Sequence, residues 1–369
     1  MDEIDWRKRL IGIKGSRGVG KTTFLLQYAK ENFGPRDRRC LYINMNNFFF
    51  QGKTLFQFAN EFVHEGGQTL LIDQVFKQPD WSHELRMIYD RCPKLRVVFT
   101  GSSVMRLKEE NPELNGIVDS YNLRGFSFRE YLNLKTGENF KSFSIREIQN
   151  RHERIAQEVT AKVNPMEHFR NYLHHGYYPF FLENANFSEN LLKTMNMMIE
   201  VDILLIKQID LKYLSKIKKL LYLLAMGGTG APNVSQLATD MQTSRATVMN
   251  YIKYLSDARL INMVYRHGEE FPKKPSGLYL HNTNLLYAMS SGEVDRQTLM
   301  ETFFQNALWG RHQMQVGDRS STFIVDGKQR FRICLEQPKR KNTDVLYALS
   351  NIVEGEGQEI PLWIYGFLY

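Results

Sequence analysis

One run of residues constrains this chain more than any other: Gly15-Ser16-Arg17-Gly18-Val19-Gly20-Lys21-Thr22, followed by Thr23. It fits the phosphate-binding loop pattern G-x-x-x-x-G-K-[ST]. It also stands where that pattern works, between the apolar run Leu10-Ile11-Gly12-Ile13 and a helical pattern from Thr22 to about Ala29 with Phe24, Leu25 and Tyr28 on its apolar side. Glycines let successive backbone N–H groups curl around phosphate oxygens, and the start of the following helix adds the positive end of its dipole. In such a loop Lys21 reaches the β- and γ-phosphates of ATP and the Thr22 hydroxyl binds Mg²⁺.

The residues up to about 130 alternate strand and helix. Cys40-Leu41-Tyr42-Ile43, Thr69-Leu70-Leu71-Ile72-Asp73, Leu95–Thr100 and Ser120–Leu123 follow the loop strand. Continuous apolar runs separated by helical patterns predict a buried parallel sheet. From about 130 to 225 the strand signals stop, and Glu147–Val159 and Leu191–Leu205 read as helices. A flexible break follows at 226–232. With 369 residues, 43% hydrophobic and 24% charged, the chain has room for two or three domains. No apolar run approaches the ~18 residues of a membrane span, which predicts no membrane association. The three cysteines, Cys40, Cys92 and Cys334, fit no metal spacing and point to reduced thiols in the cytoplasm. A net charge of +8 allows an acidic partner, nucleic acid first among them.

Leu70-Leu71-Ile72-Asp73 has the form of a Walker B strand, in which Asp73 holds Mg²⁺ directly or through water. The next strand ends Thr100-Gly101-Ser102-Ser103. Thr100 or Ser102 there either positions an attacking water or caps a following helix.

These segments, together with Gly125-Phe126-Ser127-Phe128-Arg129-Glu130-Tyr131-Leu132, resemble a large bacterial and archaeal AAA+-like ATPase family related to STAND proteins. Gly176-Tyr177-Tyr178-Pro179, Asp202 and the run from His281 to Ala288 also fit it. The resemblance covers about residues 8–310 and is most specific in the first 130. It implies a P-loop core, a winged helix after it and a C-terminal domain related to restriction endonucleases. The family has Glu directly after the Walker B Asp, where this chain has Gln74. An amide cannot take a proton from the hydrolytic water. Either an engineered Glu→Gln exchange or natural divergence accounts for Gln74, and Phe76 and Gln78, which also depart from the family, favour divergence. Arg106, Arg124 and Arg129 lie in the region for an arginine finger. Arg129 matches the Ser-Phe-Arg-Glu motif, where the alternative role is a structural salt bridge.

Val234, Leu237, Ala238 and Met241, a turn at Gln242-Thr243-Ser244, and Val248, Tyr251, Ile252 and Leu255 at helical spacing predict a helix-turn-helix. A strand at Leu260–Arg266, a basic turn and Leu278-Tyr279-Leu280 complete a wing. The exposed DNA-facing candidates are Arg245, Thr247, Asn250, Lys253 and Tyr254 on the second helix, with Lys273 and Lys274 on the wing. Lys216, Lys218 and Lys219 either extend that basic surface or lie on a solvated helix face. In the tail, Glu301, Asp326, Glu336, Lys339 and Lys341 are candidates for metal-dependent nuclease chemistry. However, Ser321 or Thr322 stands where the family has its metal-binding Asp, and Glu336-Gln337-Pro338-Lys339 breaks the Glu-x-Lys spacing, which predicts a degenerate scaffold.

The fold expected is α/β: a P-loop NTPase core of AAA+-like parallel sheet (1–132), a helical lid (133–212), a winged helix (213–282) and a degenerate nuclease-like tail (283–369). The partners expected are DNA and further copies of the chain, or an active paralogue in a mixed ring. A nucleotide-switched scaffold of the STAND type is the alternative.

Overall fold

The computed structural model describes residues 3–105, 107, 111–183, 186–204, 208–290 and 292–369. They form two compact units. The first comprises Met1–Gly125 with Glu200–Ile209, and the second Phe126–Ile199 with Asp210–Tyr369.

In the first unit, β1 (Leu10–Gly15) leads through the glycine loop into α1 (Lys21–Asn32). Then come β2 (Cys40–Asn44), α2 (Leu55–His64), β3 (Thr69–Asp73), α3 (Trp81–Arg91), β4 (Arg96–Ser102) and β5 (Asp119–Asn122). The strands form one parallel sheet in the order β2-β3-β4-β1-β5. Period-two alternation sends Leu70 and Ile72 to one face, packed with Leu55, Ala59, Leu85 and Ile88 of α2 and α3. It sends Leu71 to the other, with Leu25 and Tyr28 of α1. Both faces are covered, so the strands read as unbroken apolar runs. Strand order reverses direction beside β1, placing the loop at the crevice outside the carboxyl ends of the strands, where open α/β sheets bind ligands.

The second unit begins with α4 (Phe128–Thr136), α5 (Ile145–Thr160), α6 (Pro165–His175) and α7 (Phe187–Met197). Ser127 and Ser144 start α4 and α5 with reciprocal capping boxes to Glu130 and Glu147. The helix read at Leu191–Leu205 ends as α7 at Met197; a π-helical stretch, Met198–Ile203, continues it, and Leu205 lies outside the described residues. Next come α8 (Leu214–Met226), α9 (Val234–Asp240) and α10 (Arg245–Asp257), the last capped by Ser244 as its sequence implies. The antiparallel pair β6 (Ile261–Val264) and β7 (Gly277–Leu280) follows. Finally α11 (Thr283–Met289) and α12 (Arg296–Leu308) precede a five-stranded sheet. Its strands are β8 (Met314–Val316), β9 (Phe323–Val325), β10 (Gln329–Cys334), β11 (Val345–Leu349) and β12 (Glu359–Pro361). The β8–β9–β10 side is antiparallel and the β10–β11–β12 side parallel. Phe304 of α12 stacks on Phe323 and meets Phe331 and Tyr365 edge-on or tilted, which fastens the helix to this sheet.

Among the described residues no helix is long and apolar enough to cross a membrane.

Candidate nucleotide site

Two glycines of the loop have the left-handed backbone that only glycine takes without strain: Gly18 at φ 82° and Gly20 at φ 93°. Gly15 is required for a different reason, because a Cβ there would lie 2.4 Å from the carbonyl oxygen of Leu123. The loop closes around the side chain of Lys21, whose ammonium donates to the carbonyls of Gly15 (2.9 Å) and Ser16 (2.8 Å). Desolvation dominates there and pushes the ammonium down to about 8, with Arg17 adding to the lowering while Asp202 and Asp73 oppose it.

Asp73 closes β3 with 1% of its surface exposed. Its Oδ2 accepts from the Thr22 hydroxyl at 2.7 Å and the Tyr42 hydroxyl at 2.9 Å. Asn44 Nδ2 stands 3.4 Å from the same oxygen, and Oδ1 accepts from the Thr100 hydroxyl. The two groups expected to meet Mg²⁺, Thr22 and Asp73, are therefore side by side. Burial and the Asp73 anion raise the Tyr42 phenol, so it stays a donor. Tyr42 and Asn44 were not among the sequence candidates, yet a signal existed. Asn44 registers with Asp73 on the neighbouring parallel strand, so polar residues that close adjacent apolar runs meet at one sheet end.

Thr100 is engaged with the Walker B strand. Its hydroxyl donates to Asp73 and accepts the Gln74 backbone N–H at 2.9 Å. Among the described residues no helix lies between β4 and β5, so neither Thr100 nor Ser102 caps one. Ser102 accepts from the backbone of Val104 at 3.4 Å instead. Gln74 itself sits at φ 57° and begins the 3₁₀ turn Val75–Lys77.

One ion pair joins the loop to a distant segment of the same unit. Arg17 donates from a terminal guanidinium nitrogen to Asp202 Oδ1 at 2.7 Å. Asp202 is buried within the π-helical stretch, a form that recurs at functional sites.

Residues 7–132 match a family model described as an AAA domain. This segment is similar to AAA-type P-loop domains. Such domains generally bind ATP with Mg²⁺, and the match supports an ATPase-type, nucleotide-binding protein. Residues 166–294 match a second model, a domain of unknown function. An uncharacterized protein of Methanocaldococcus jannaschii is 29% identical over 277 residues, which cover 71% of this chain. The match spans 58% of that relative's length. A DNA polymerase III gamma subunit-related protein of Thermotoga maritima aligns at 13% identity over 68% of this chain and 93% of its own, with a TM-score of 0.28.

Of the arginine-finger candidates, Arg106 lies outside the described residues and Arg124 follows β5 in the first unit. Arg129 belongs to the second unit. There it donates to the carbonyls of Tyr369 (2.8 Å) and Phe140 (3.2 Å) and stands 3.6 Å from the Glu130 carboxylate.

The nucleic-acid candidates are also in the second unit. Arg245, Asn250, Lys273 and Lys274 are exposed, whereas Thr247 joins Ser244 at the start of α10. Lys253 pairs with Asp257 at 2.7 Å. Lys216 and Lys219 donate to the carbonyls of Gln242 and Asp240, fastening the end of α9 rather than extending a free basic surface.

In the tail, Glu301 accepts from Thr229 and Gln297, Asp326 accepts from His312 and the Gln313 N–H, and Lys341 pairs with Glu359. Among the described residues no group of three His, Cys, Asp or Glu side chains is placed to hold a metal. Glu336 and Lys339 instead line an open cleft of about 670 Å³ together with Arg332 and Arg340.

Proposed function

We propose that this chain binds Mg²⁺ and ATP at the Lys21–Thr22–Asp73 cluster, hydrolyses ATP slowly, and uses its second unit to contact DNA. The observation that carries the nucleotide reading is the 2.7 Å contact between Thr22 and Asp73 above the enclosed Lys21. A hydroxyl beside a buried carboxylate is a hard oxygen donor set that suits Mg²⁺. The backbone N–H groups of Gly18, Val19, Gly20, Lys21, Thr22 and Thr23 supply the phosphate cradle, and Lys21 exchanges its carbonyl partners for phosphate oxygens. Bound Mg²⁺ neutralises charge on the phosphates. Tyr42, Asn44 and Thr100 hold the Asp73 carboxylate in orientation. Gln74 cannot act as a base, and the loss of such a group lowers the rate by roughly 10²–10⁴.

Three features support DNA as partner. The α9–turn–α10 pair with the β6–β7 hairpin has the order of a winged helix, exposed Arg245 and Asn250 lie on its second helix, and exposed Lys273 and Lys274 lie on its turn. In this reading ATP assembles or reshapes an oligomer of the chain, or a mixed ring with an active paralogue, and hydrolysis resets its grip on DNA.

A second reading, a nucleotide-switched scaffold that binds protein, draws on the internal engagement of Lys216, Lys219 and Lys253 and on the exposure of Leu211, Tyr222 and Met226.

The test is ATP turnover of the chain beside Gln74→Glu, with and without duplex and branched DNA, and DNA affinity over a salt series. Turnover restored by Glu and stimulated by DNA supports the first reading. Tight ATP binding with no DNA affinity at low salt supports the scaffold.

A further inference from the structure

Asp202 fits the resemblance of its segment to the ATPase family, yet nothing in nucleotide chemistry at Lys21, Thr22 and Asp73 calls for it. Its surroundings do. The carboxylate is almost fully enclosed, with 4% of its side chain exposed, and its partner is a cation of the phosphate loop, Arg17. Arg17 uses one terminal nitrogen on Asp202, while its Nε is buried with no acceptor. The guanidinium thus has donor capacity that the protein leaves unspent, in a loop built for phosphate.

Asp202 also acts on Lys21, holding its proton more tightly through charge. Two cations of the loop, Arg17 and Lys21, thus stand with two buried carboxylates from other elements, Asp73 and Asp202. Asp73 has a metal to expect. Asp202 has none: its role is that of an anion already standing beside the cations.

We infer that Asp202 is an internal counter-ion of the nucleotide site, which competes with the phosphates for Arg17 and is displaced from it when a triphosphate binds. This rests on the nucleotide reading of the loop. A phosphate offers Arg17 bidentate, doubly charged acceptors, stronger than the single bond to Asp202. A buried carboxylate left beside polyanionic phosphates is repelled. The exchange then releases the stretch that carries Asp202.

The position of that stretch in the chain gives the exchange a consequence. Glu200–Ile209 belongs to the first unit, but the chain enters it from Ile199 and leaves it to Asp210, both in the second. Whatever frees Glu200–Leu204 from the loop reaches the second unit through two covalent joins.

The test measures nucleotide affinity by calorimetry and amide hydrogen exchange in Met198–Leu204 on the full chain. Its variants are Asp202→Asn, Arg17→Gln and the double variant, whose missing charges cancel and which guards against misfolding. With Asp202→Asn the competitor is gone, so affinity for a non-hydrolysable ATP analogue rises about tenfold. With Arg17→Gln it falls about tenfold. Both variants speed exchange in Met198–Leu204 without nucleotide, and in the unaltered chain the analogue speeds it too. A fall in affinity with Asp202→Asn, or exchange in the unaltered chain that slows or stays constant on adding the analogue, overturns the inference. Failure of the unaltered chain to bind nucleotide at all overturns the nucleotide reading instead.

Discussion

The hydroxyl of Thr22, at the start of α1, donates to Oδ2 of Asp73, at the end of β3, at 2.7 Å. The helix and the strand are far apart in sequence, and the parallel sheet brings their ends together. The same carboxylate is held by Tyr42 and Thr100 from the flanking strands. Asp73 is thus a structural keystone as well as a candidate metal ligand, which gives the first prediction. Asp73→Ala strands three hydroxyl donors around a cavity and destabilises the first unit by about 3 kcal/mol or more, at roughly 1–3 kcal/mol per unsatisfied group. Asp73→Asn keeps acceptor capacity on one atom and costs less. Denaturant midpoints separate the two, and both abolish Mg²⁺-dependent ATP binding.

The enclosed Lys21 makes the protein respond to pH in two opposed ways. Its ammonium is pushed down from 10.5 to about 8, chiefly by desolvation. Between those values the unfolded chain holds a proton on Lys21 that the folded chain has lost. Stability therefore rises with pH through that window, by on the order of 3 kcal/mol in all. Nucleotide affinity moves the other way, because the neutral amine above about 8 no longer attracts phosphate. Urea midpoints and ATP affinity at pH 7 and pH 9.5 check both signs. In Lys21→Met the stability rise is absent.

Gly15→Ala places its methyl carbon against the Leu123 carbonyl, 2.4 Å away in the unrelaxed backbone. The β1–β5 register must shift to admit it. The expected cost is about 1–3 kcal/mol, the usual range for overpacking, with loss of nucleotide binding. Thermal melting and ATP titration read the two effects.

In the second unit, His281 sits at the centre of a buried polar chain. It meets the Asn262 amide oxygen at 2.9 Å through Nδ1 and the Tyr177 hydroxyl at 3.2 Å through Nε2, while Asn262 donates to Gln305. Asn284, held beside the same strand end, accepts from the Tyr177 N–H and donates to the carbonyls of Tyr172 and Leu173. His281→Ala leaves Asn262 and Tyr177 without that partner in a dry interior, at a cost of about 2–4 kcal/mol. The loss appears as earlier melting of the second unit, with ATP affinity retained in the first.

Lys273→Ala with Lys274→Ala tests the wing. If the turn meets phosphate, the pair weakens DNA binding uniformly across sequences and lowers the salt slope by about 2. Fluorescence anisotropy over a salt series measures it.

Much of the first unit was legible in the sequence because its physics is local. A strand buried on both faces must be apolar throughout, so β3 and β4 stand out, and the glycine pattern names its own backbone geometry. The two helices α9 and α10 were legible for the same reason: one apolar stripe per helix and Ser244 as a cap. What the sequence hid was partnership over distance. Asp202 fits the family resemblance but carries no role that the sequence names, and only the fold brings it to Arg17. Lys216 and Lys219 read either as an extension of a basic surface or as a solvated helix face, and their ammonium groups donate to backbone carbonyls at the end of α9. For Thr100 the sequence offers water positioning or a cap, and it does not show the bond to Asp73 that the fold makes. The tail was weakest, because strands of three to six residues carry too little periodicity to fix their pairing.

The measurement that tests the account most directly is calorimetric titration of ATP, with and without Mg²⁺, into the chain and into Lys21→Ala. The account predicts saturable binding that Mg²⁺ strengthens and Lys21→Ala abolishes. Equal heats for the two proteins, or no binding to the unaltered chain, would contradict it.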